Sequence, residues 1–306
     1  MIDLGLIERH RRLVDPAAGI VEEFLTLTLG GADTIGVLTR PIGEARDVGW
    51  VLCHSFGEEQ SHLYRLDVMA ARGLAAAGFT VLRYHGQGYG DSRRSMETVD
   101  VASHLADAAD AVGALRARVD VHPVGVAGAR FGGTVAALTA DRLDLGLLAL
   151  WQPVTDGEAY VRGILRGRAL ARLAGDGEAE PDPEEELRRR LADRGFLDVN
   201  GLYLSAAATE QLGAVDLVRD LRRFRGRCLL GSVTRSGRPD PGEEALAARL
   251  AELGAGCDRV PIVHAQAPRF GRSRASRGVD RVHELEERIV ERTVAWGREH
   301  ATEAPA

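Results

Sequence analysis

The stretch VGVAGARFGGTVAAL, residues 124–138, constrains this chain more than any other. An apolar run leads straight into Gly-Ala-Arg-Phe-Gly-Gly and then into a helix-forming segment. Gly128 and Gly132 bracket Arg130. That spacing suits a tight strand-to-helix turn, because a side chain at either glycine would collide with the neighbouring strand or helix. A chain built around such a turn alternates strands with helices, and its other segments follow that rhythm.

Residues 19–30 and 34–41 read as two strands joined by a Gly-Gly-Ala-Asp turn. Residues 49–55, 79–86, 122–128 and 145–151 are short apolar runs of the kind found in buried parallel strands. Helical periodicity marks 61–78, 101–119 and 132–143 between them. The rhythm breaks at 152–225, a helix-rich, arginine-rich segment with the acidic run GDGEAEPDPEEE at 175–186. It then resumes with strands at 227–234 and 257–264 and helices at 242–256 and 279–300. This pattern predicts an α/β class: a doubly wound, mostly parallel sheet with an antiparallel N-terminal hairpin and a helical lid insertion. The expected division is 1–151 and 226–300 for the two parts of the core, and 152–225 for the insertion. The insertion falls where a cap over the carboxyl edge of the sheet belongs, and ligands bind at that edge in open α/β sheets.

A strand–turn–helix with G-x-S-x-G is the nucleophile elbow of the α/β-hydrolase fold. Here the glycines are present and Arg130 stands in the serine position, after the fifth expected strand. In that fold the loop after the third strand supplies half of an oxyanion hole, and the residue after the nucleophile supplies the rest. The corresponding donors are the amides of Phe56, in the loop CHSFGEEQ, and Phe131. Glu58 and Glu59 follow in that loop, and either carboxylate is placed to pair with Arg130 or to cap the next helix. His264 ends the last strand, near the usual site of a catalytic histidine, and Asp240 lies where the acid is usually supplied. His54, Ser55, His85 and Trp151 are candidate pocket-lining residues. Ser55 in CHSFG imitates an elbow but has Cys53 where glycine belongs, and Ser92 and Ser273 sit on loops without elbow geometry. GQGYGDS at 86–92 has Asp91 where a dinucleotide fingerprint needs its last glycine, so no cofactor is expected.

Composition narrows the chemistry further. All 39 basic residues are arginine, which removes Schiff-base chemistry, lysine bases and Walker-type phosphate loops. A net charge of −6 argues against nucleic-acid or acidic-membrane partners. Cys53, Cys228 and Cys257 are too few and too scattered for a disulfide framework or a zinc site. The charged first residues lack a signal-peptide core and no apolar run reaches membrane-spanning length, so a cytoplasmic, metal-free protein is expected. The expected partner is a small molecule with an anionic or acyl group. The oligomeric state stays open, a homodimer included.

The segments FGEEQSHLYR, ARGLAAAGFTVL, YHGQGYGDS, GARFGG, LLALWQPVTDGEAYVRGILR and FLDVNGLYLSAAATEQLGAVDL resemble the exosortase A system-associated hydrolases of the second type. They span about residues 50–220. That family is an α/β-hydrolase branch whose elbow also looks like G-x-R-x-G. The resemblance implies the fold, the lid, and a pocket around Gly57, Glu58, Glu59 and Arg130. His54-Ser55 before Phe56, and a histidine in VHAQAPRFG, depart from the family pattern.

A guanidinium stays protonated at any working pH and cannot attack a carbonyl. Its planar fork instead binds carboxylate, phosphate or an enolate oxygen. Three functions follow. One is an enzyme in which Arg130 and the oxyanion amides hold an acyl or carboxylate group while Glu58, Glu59 or His264 moves protons. Another is a catalytically inactive protein that binds a small anion or a partner. The third is a serine or cysteine hydrolase with a displaced nucleophile.

Overall fold

Nine strands form one twisted sheet, and their order fixes where a site can lie. The computed structural model describes residues 11–173, 183–199, 201–265, 267, 270–271 and 279–301. In chain order the strands are β1 (Arg12–Asp15), β2 (Ile20–Leu29), β3 (Ala32–Pro41), β4 (Gly49–Cys53), β5 (Thr80–Tyr84), β6 (Val124–Ala129) and β7 (Leu147–Trp151). A hairpin of β8 (Phe196–Val199) and β9 (Leu202–Ser205) stands apart, and β10 (Arg227–Thr234) and β11 (Gly256–Val263) complete the sheet. Across the sheet the order is β1-β2-β3-β5-β4-β6-β7-β10-β11. Pairing is antiparallel from β1 to β5 and parallel from β5 to β11.

The central strands β4, β5 and β7 are buried at every residue, which is why they appear in the sequence as unbroken apolar runs. Helices α1 (Glu58–Ala76) and α9 (Val279–His300) cover one face, through Leu63, Leu66, Leu74, Leu285, Ile289 and Trp296. Helices α2 (Val101–Arg118), α3 (Phe131–Leu143) and α8 (Pro241–Leu253) cover the other. Between β7 and β10 run α4 (Gly157–Leu173), α5 (Pro183–Arg194), the β8–β9 hairpin, α6 (Ala206–Ala214) and α7 (Leu217–Asp220).

Three features differ from the sequence expectation. Strand β1 is an added edge, so the elbow follows the sixth strand rather than the fifth. The insertion carries a hairpin as well as helices. Cys228 and Cys257 are direct partners on the parallel strands β10 and β11, with their thiols in hydrogen-bond contact, so they are not scattered in space. Among the described residues, no helix is long and apolar enough to cross a membrane.

Strand order also creates a switch point. β4 leads into α1 on one face, while its neighbour β6 leads into α3 on the other. The carboxyl ends of β4 and β6 therefore open a crevice between helices that diverge, the place where such sheets bind ligands. Cys53–Gly57 and Arg130 lie at those two ends.

Candidate functional site

Arg130 forms the bend itself. Its φ of 52° and ψ of −128° lie where a Cβ is strongly disfavoured, a conformation that costs on the order of 1–3 kcal/mol. Surrounding backbone enforces it. The Arg130 N–H donates to Trp151 O at 2.9 Å, and Arg130 O accepts from Gly133 N at 3.0 Å and Val154 N at 3.4 Å. The two glycines are needed for close approach: a Cβ on Gly128 would meet Gly132 O at 2.3 Å, and one on Gly132 would meet Cys53 O at 2.3 Å.

Ser55 locks this junction. Its hydroxyl donates to Ala129 O at 2.7 Å and accepts the Gly132 N–H at 3.0 Å, joining the β4 loop to the turn. The one proton of that buried hydroxyl is thus committed to a backbone carbonyl. Cys53 beside it is fully enclosed, and burial pushes its thiol up to about 12, so it stays protonated at neutral pH.

The Arg130 side chain turns toward α1. Its Nε donates to Glu59 Oε1 at 3.1 Å and its Nη1 to Gln152 O at 3.4 Å. Tyr160, on α4, donates its hydroxyl to the other oxygen, Glu59 Oε2, at 2.9 Å. Only 21% of the Arg130 side chain and 13% of the Glu59 side chain are exposed. Burial opposes the Arg130 charge, but the adjacent Glu59 outweighs it and raises the guanidinium pKa. Burial, reinforced by the Glu59 charge, lifts the Tyr160 phenol well above its ordinary value, so it acts as a donor. Gly271 passes over the group, where a Cβ would lie 3.0 Å from Arg130 Cγ. The Phe131 ring stacks on Tyr160 with centroids 5.5 Å apart and meets Phe56 edge-on at 6.0 Å. Among the described residues, neither the Phe56 N–H nor the Phe131 N–H has a hydrogen-bond acceptor. At Phe131 this is the ordinary fate of a first-turn donor, which points out of the helix toward a ligand position.

The remaining candidates lie elsewhere. Glu58, one residue from Glu59, points away and pairs with His62 at 3.5 Å. His54 is buried in a ring cluster with Tyr84, Tyr89 and His104, and burial with the neighbouring His104 holds its pKa down at about 3. His85 sits in the loop after β5, bonded by Asp91 N at 3.2 Å. Trp151 is not a pocket wall: its ring packs with the α1–α9 layer and its Nε1 donates to Thr293 at 2.8 Å. His264 directly follows β11 and faces Glu284 at 3.9 Å, and Asp240 is the N-cap of α8, accepting the Gly242 N–H at 2.8 Å. Ser92 accepts the Arg94 N–H at 3.2 Å in an exposed loop, and Ser273 lies outside the described residues. The assembled group is therefore Arg130, Glu59 and Tyr160, with Phe56 and Phe131. Sequence reasoning missed Tyr160, although it lies within the quoted segment GEAYVRGILR.

No protein family matches the chain, and no curated protein gives a significant match. Solved structures do. Est1E from Butyrivibrio proteoclasticus with ferulic acid bound is similar at a TM-score of 0.60 and 17% identity, over 89% of this chain and 98% of that one. The Pyrococcus furiosus esterase PF2001 is similar at 0.58 and 12%, over 94% and 95%. One of two esterases from the fungus Rhizomucor miehei is similar at 0.56 and 17%, over 99% and 92%. This chain has the α/β-hydrolase fold. Identities this low establish the fold and leave the reaction to the site.

Proposed function

We propose that this α/β-hydrolase-fold chain is an enzyme that acts on a small molecule carrying an acyl or carboxylate group, without a serine nucleophile. The observation that carries the proposal is the arginine at the elbow, paired with Glu59, with the Phe56 and Phe131 amides lacking acceptors among the described residues. Arg130 and the Phe56 and Phe131 amides bind the anionic oxygen, where charge develops as an ester or amide is attacked. Water, not a side chain, is the attacking group. Glu59 accepts its proton, the new C–O bond forms, and that proton passes to the leaving alcohol or amine as the acyl bond breaks. Tyr160 and Arg130 hold Glu59 in position throughout. The insertion serves as the lid, since α4 delivers Tyr160 to the elbow. One likeness supports an acyl-group substrate: the ferulic acid bound in Est1E is a carboxylic acid.

The test is turnover of a panel of aryl and feruloyl esters. Arg130→Ala should lower kcat by about 100-fold or more while leaving the circular dichroism spectrum intact. A fluorophosphonate probe should leave the wild-type protein unlabelled. Unchanged turnover in the variant, or a covalent adduct at a pocket serine, would sink the proposal.

One observation favours a second reading. The Ser55 proton is committed to Ala129 O and the Cys53 thiol stays protonated, so the elbow can hold a small acid without attacking it. Saturable ferulate binding with no product from any ester would establish that function instead.

A further inference from the structure

A cavity lies far from the elbow, at the opposite end of α3. It measures about 630 Å³, within the range of small-molecule sites, and sits in the seam between core helices α2 and α3 and insertion helices α6 and α7. Thr139, nine residues beyond Arg130, places it ~13 Å further along the same helix. Leu105 and Ala106 of α2, Leu138 of α3 and Val215 after α6 give it an apolar floor.

Two polar features point to a ligand. Thr139 borders the cavity and is 1% exposed, and its hydroxyl, turned away from the open space, has no hydrogen-bond partner among the described residues. A buried, unsatisfied hydroxyl costs free energy, which a ligand oxygen would restore once the side chain rotates toward the cavity. Arg142 and Arg222 stand exposed on the rim, and neither pairs with a carboxylate among the described residues. Two carboxylates also line the cavity, and both are engaged. Asp141 Oδ1 accepts the N–H groups of Arg222, Arg223 and Phe224 at 2.9, 2.6 and 2.8 Å. Asp220 accepts from Arg219 Nε at 2.9 Å and Asp216 N at 3.0 Å. The uncommitted charge on the rim is positive.

We infer that this seam is a binding site for an amphipathic carboxylate, such as a medium-chain fatty acid. The alkyl chain lies on the apolar floor and the carboxylate meets Arg142 and Arg222. Occupancy bridges core and insertion. It would clamp α6, against which α4, the helix that carries Tyr160, packs, and this site is distinct from the elbow.

Calorimetric titration with dodecanoate below its micelle concentration tests the inference. Saturable binding to one site is expected in the wild-type protein and equally in Arg130→Ala. Ala106→Trp, an exposed substitution that fills the floor, should abolish it. The pair Arg142→Glu and Arg222→Glu should weaken dodecanoate about tenfold and leave dodecanol within about twofold, because the rim charges are solvent-screened and each worth little alone. Should Ala106→Trp fail to fold, the charge-reversed pair decides. Absence of saturable binding, full affinity in the filled or charge-reversed variants, or loss of binding in Arg130→Ala would each overturn the inference.

Discussion

At position 130 two unfavourable conditions coincide: a branched-off side chain in a backbone region that suits glycine, and a cation largely withdrawn from water. Gly57, which starts α1 with φ 59° and ψ −136°, adopts nearly the same conformation without a Cβ to strain. Arg130 is stable there because Glu59, held in place by Tyr160, answers its charge. Breaking a mostly buried pair leaves one charge uncompensated, so Arg130→Ala should lower unfolding free energy by about 2–3 kcal/mol. A double-mutant cycle of Arg130→Gln with Glu59→Gln, read by urea denaturation, should return a coupling of about 2 kcal/mol, and additive losses would contradict the pairing. Tyr160→Phe removes a donor from a buried carboxylate and should cost about 1.5–3 kcal/mol. The sequence identified Arg130 and the pair of glutamates but could not choose between them. Helical rotation decides: Glu59 faces the elbow while Glu58 turns to His62. Tyr160 is 101 residues from Glu59 in the chain, and no local pattern announces such a partner.

Elements were legible to the degree that burial imprinted them. The strands β4, β5 and β7 and the amphipathic helices stand out because each presents an apolar run or stripe to the core. Strand β1, RLVD, is exposed at all four residues and leaves no alternation to read. The hairpin β8–β9 does carry a sequence signal, the dipeptide Asn200-Gly201 between two short β-prone runs, which the surrounding helical and charged character obscured. At the elbow, glycine spacing is a steric requirement. Gly132→Ala would drive a Cβ into the Cys53 carbonyl, with no flexible side chain to yield. The expected loss is about 3 kcal/mol or more, seen as a fall in Tm or as insoluble protein. A Gly132→Ala variant of wild-type stability would show that the bend relaxes more readily than its close contacts imply.

For the whole molecule, buried neutral histidines set the response to acid. His54 has its pKa depressed to about 3, against about 6.5 in an unfolded chain, and burial lowers His104 in the same direction. Between those values the unfolded state binds more protons than the folded one, so stability is full above about pH 6.5 and falls as pH drops toward 3. From pH 7 to pH 5, His54 alone should remove about 2 kcal/mol. His54→Phe should flatten that part of the profile, and an unchanged slope would assign the acid sensitivity to other groups. On the same scale, α3 ties the architecture together. Arg130 is its N-cap, and Asp141 in its last turn accepts three successive amides of the chain returning from the insertion. An α-helix turns about 100° per residue. Inserting or deleting a single residue between these two positions would therefore put them out of phase, freeing Asp141 from its amides or swinging the guanidinium off Glu59. The sequence of α3 can vary, but its length is keyed.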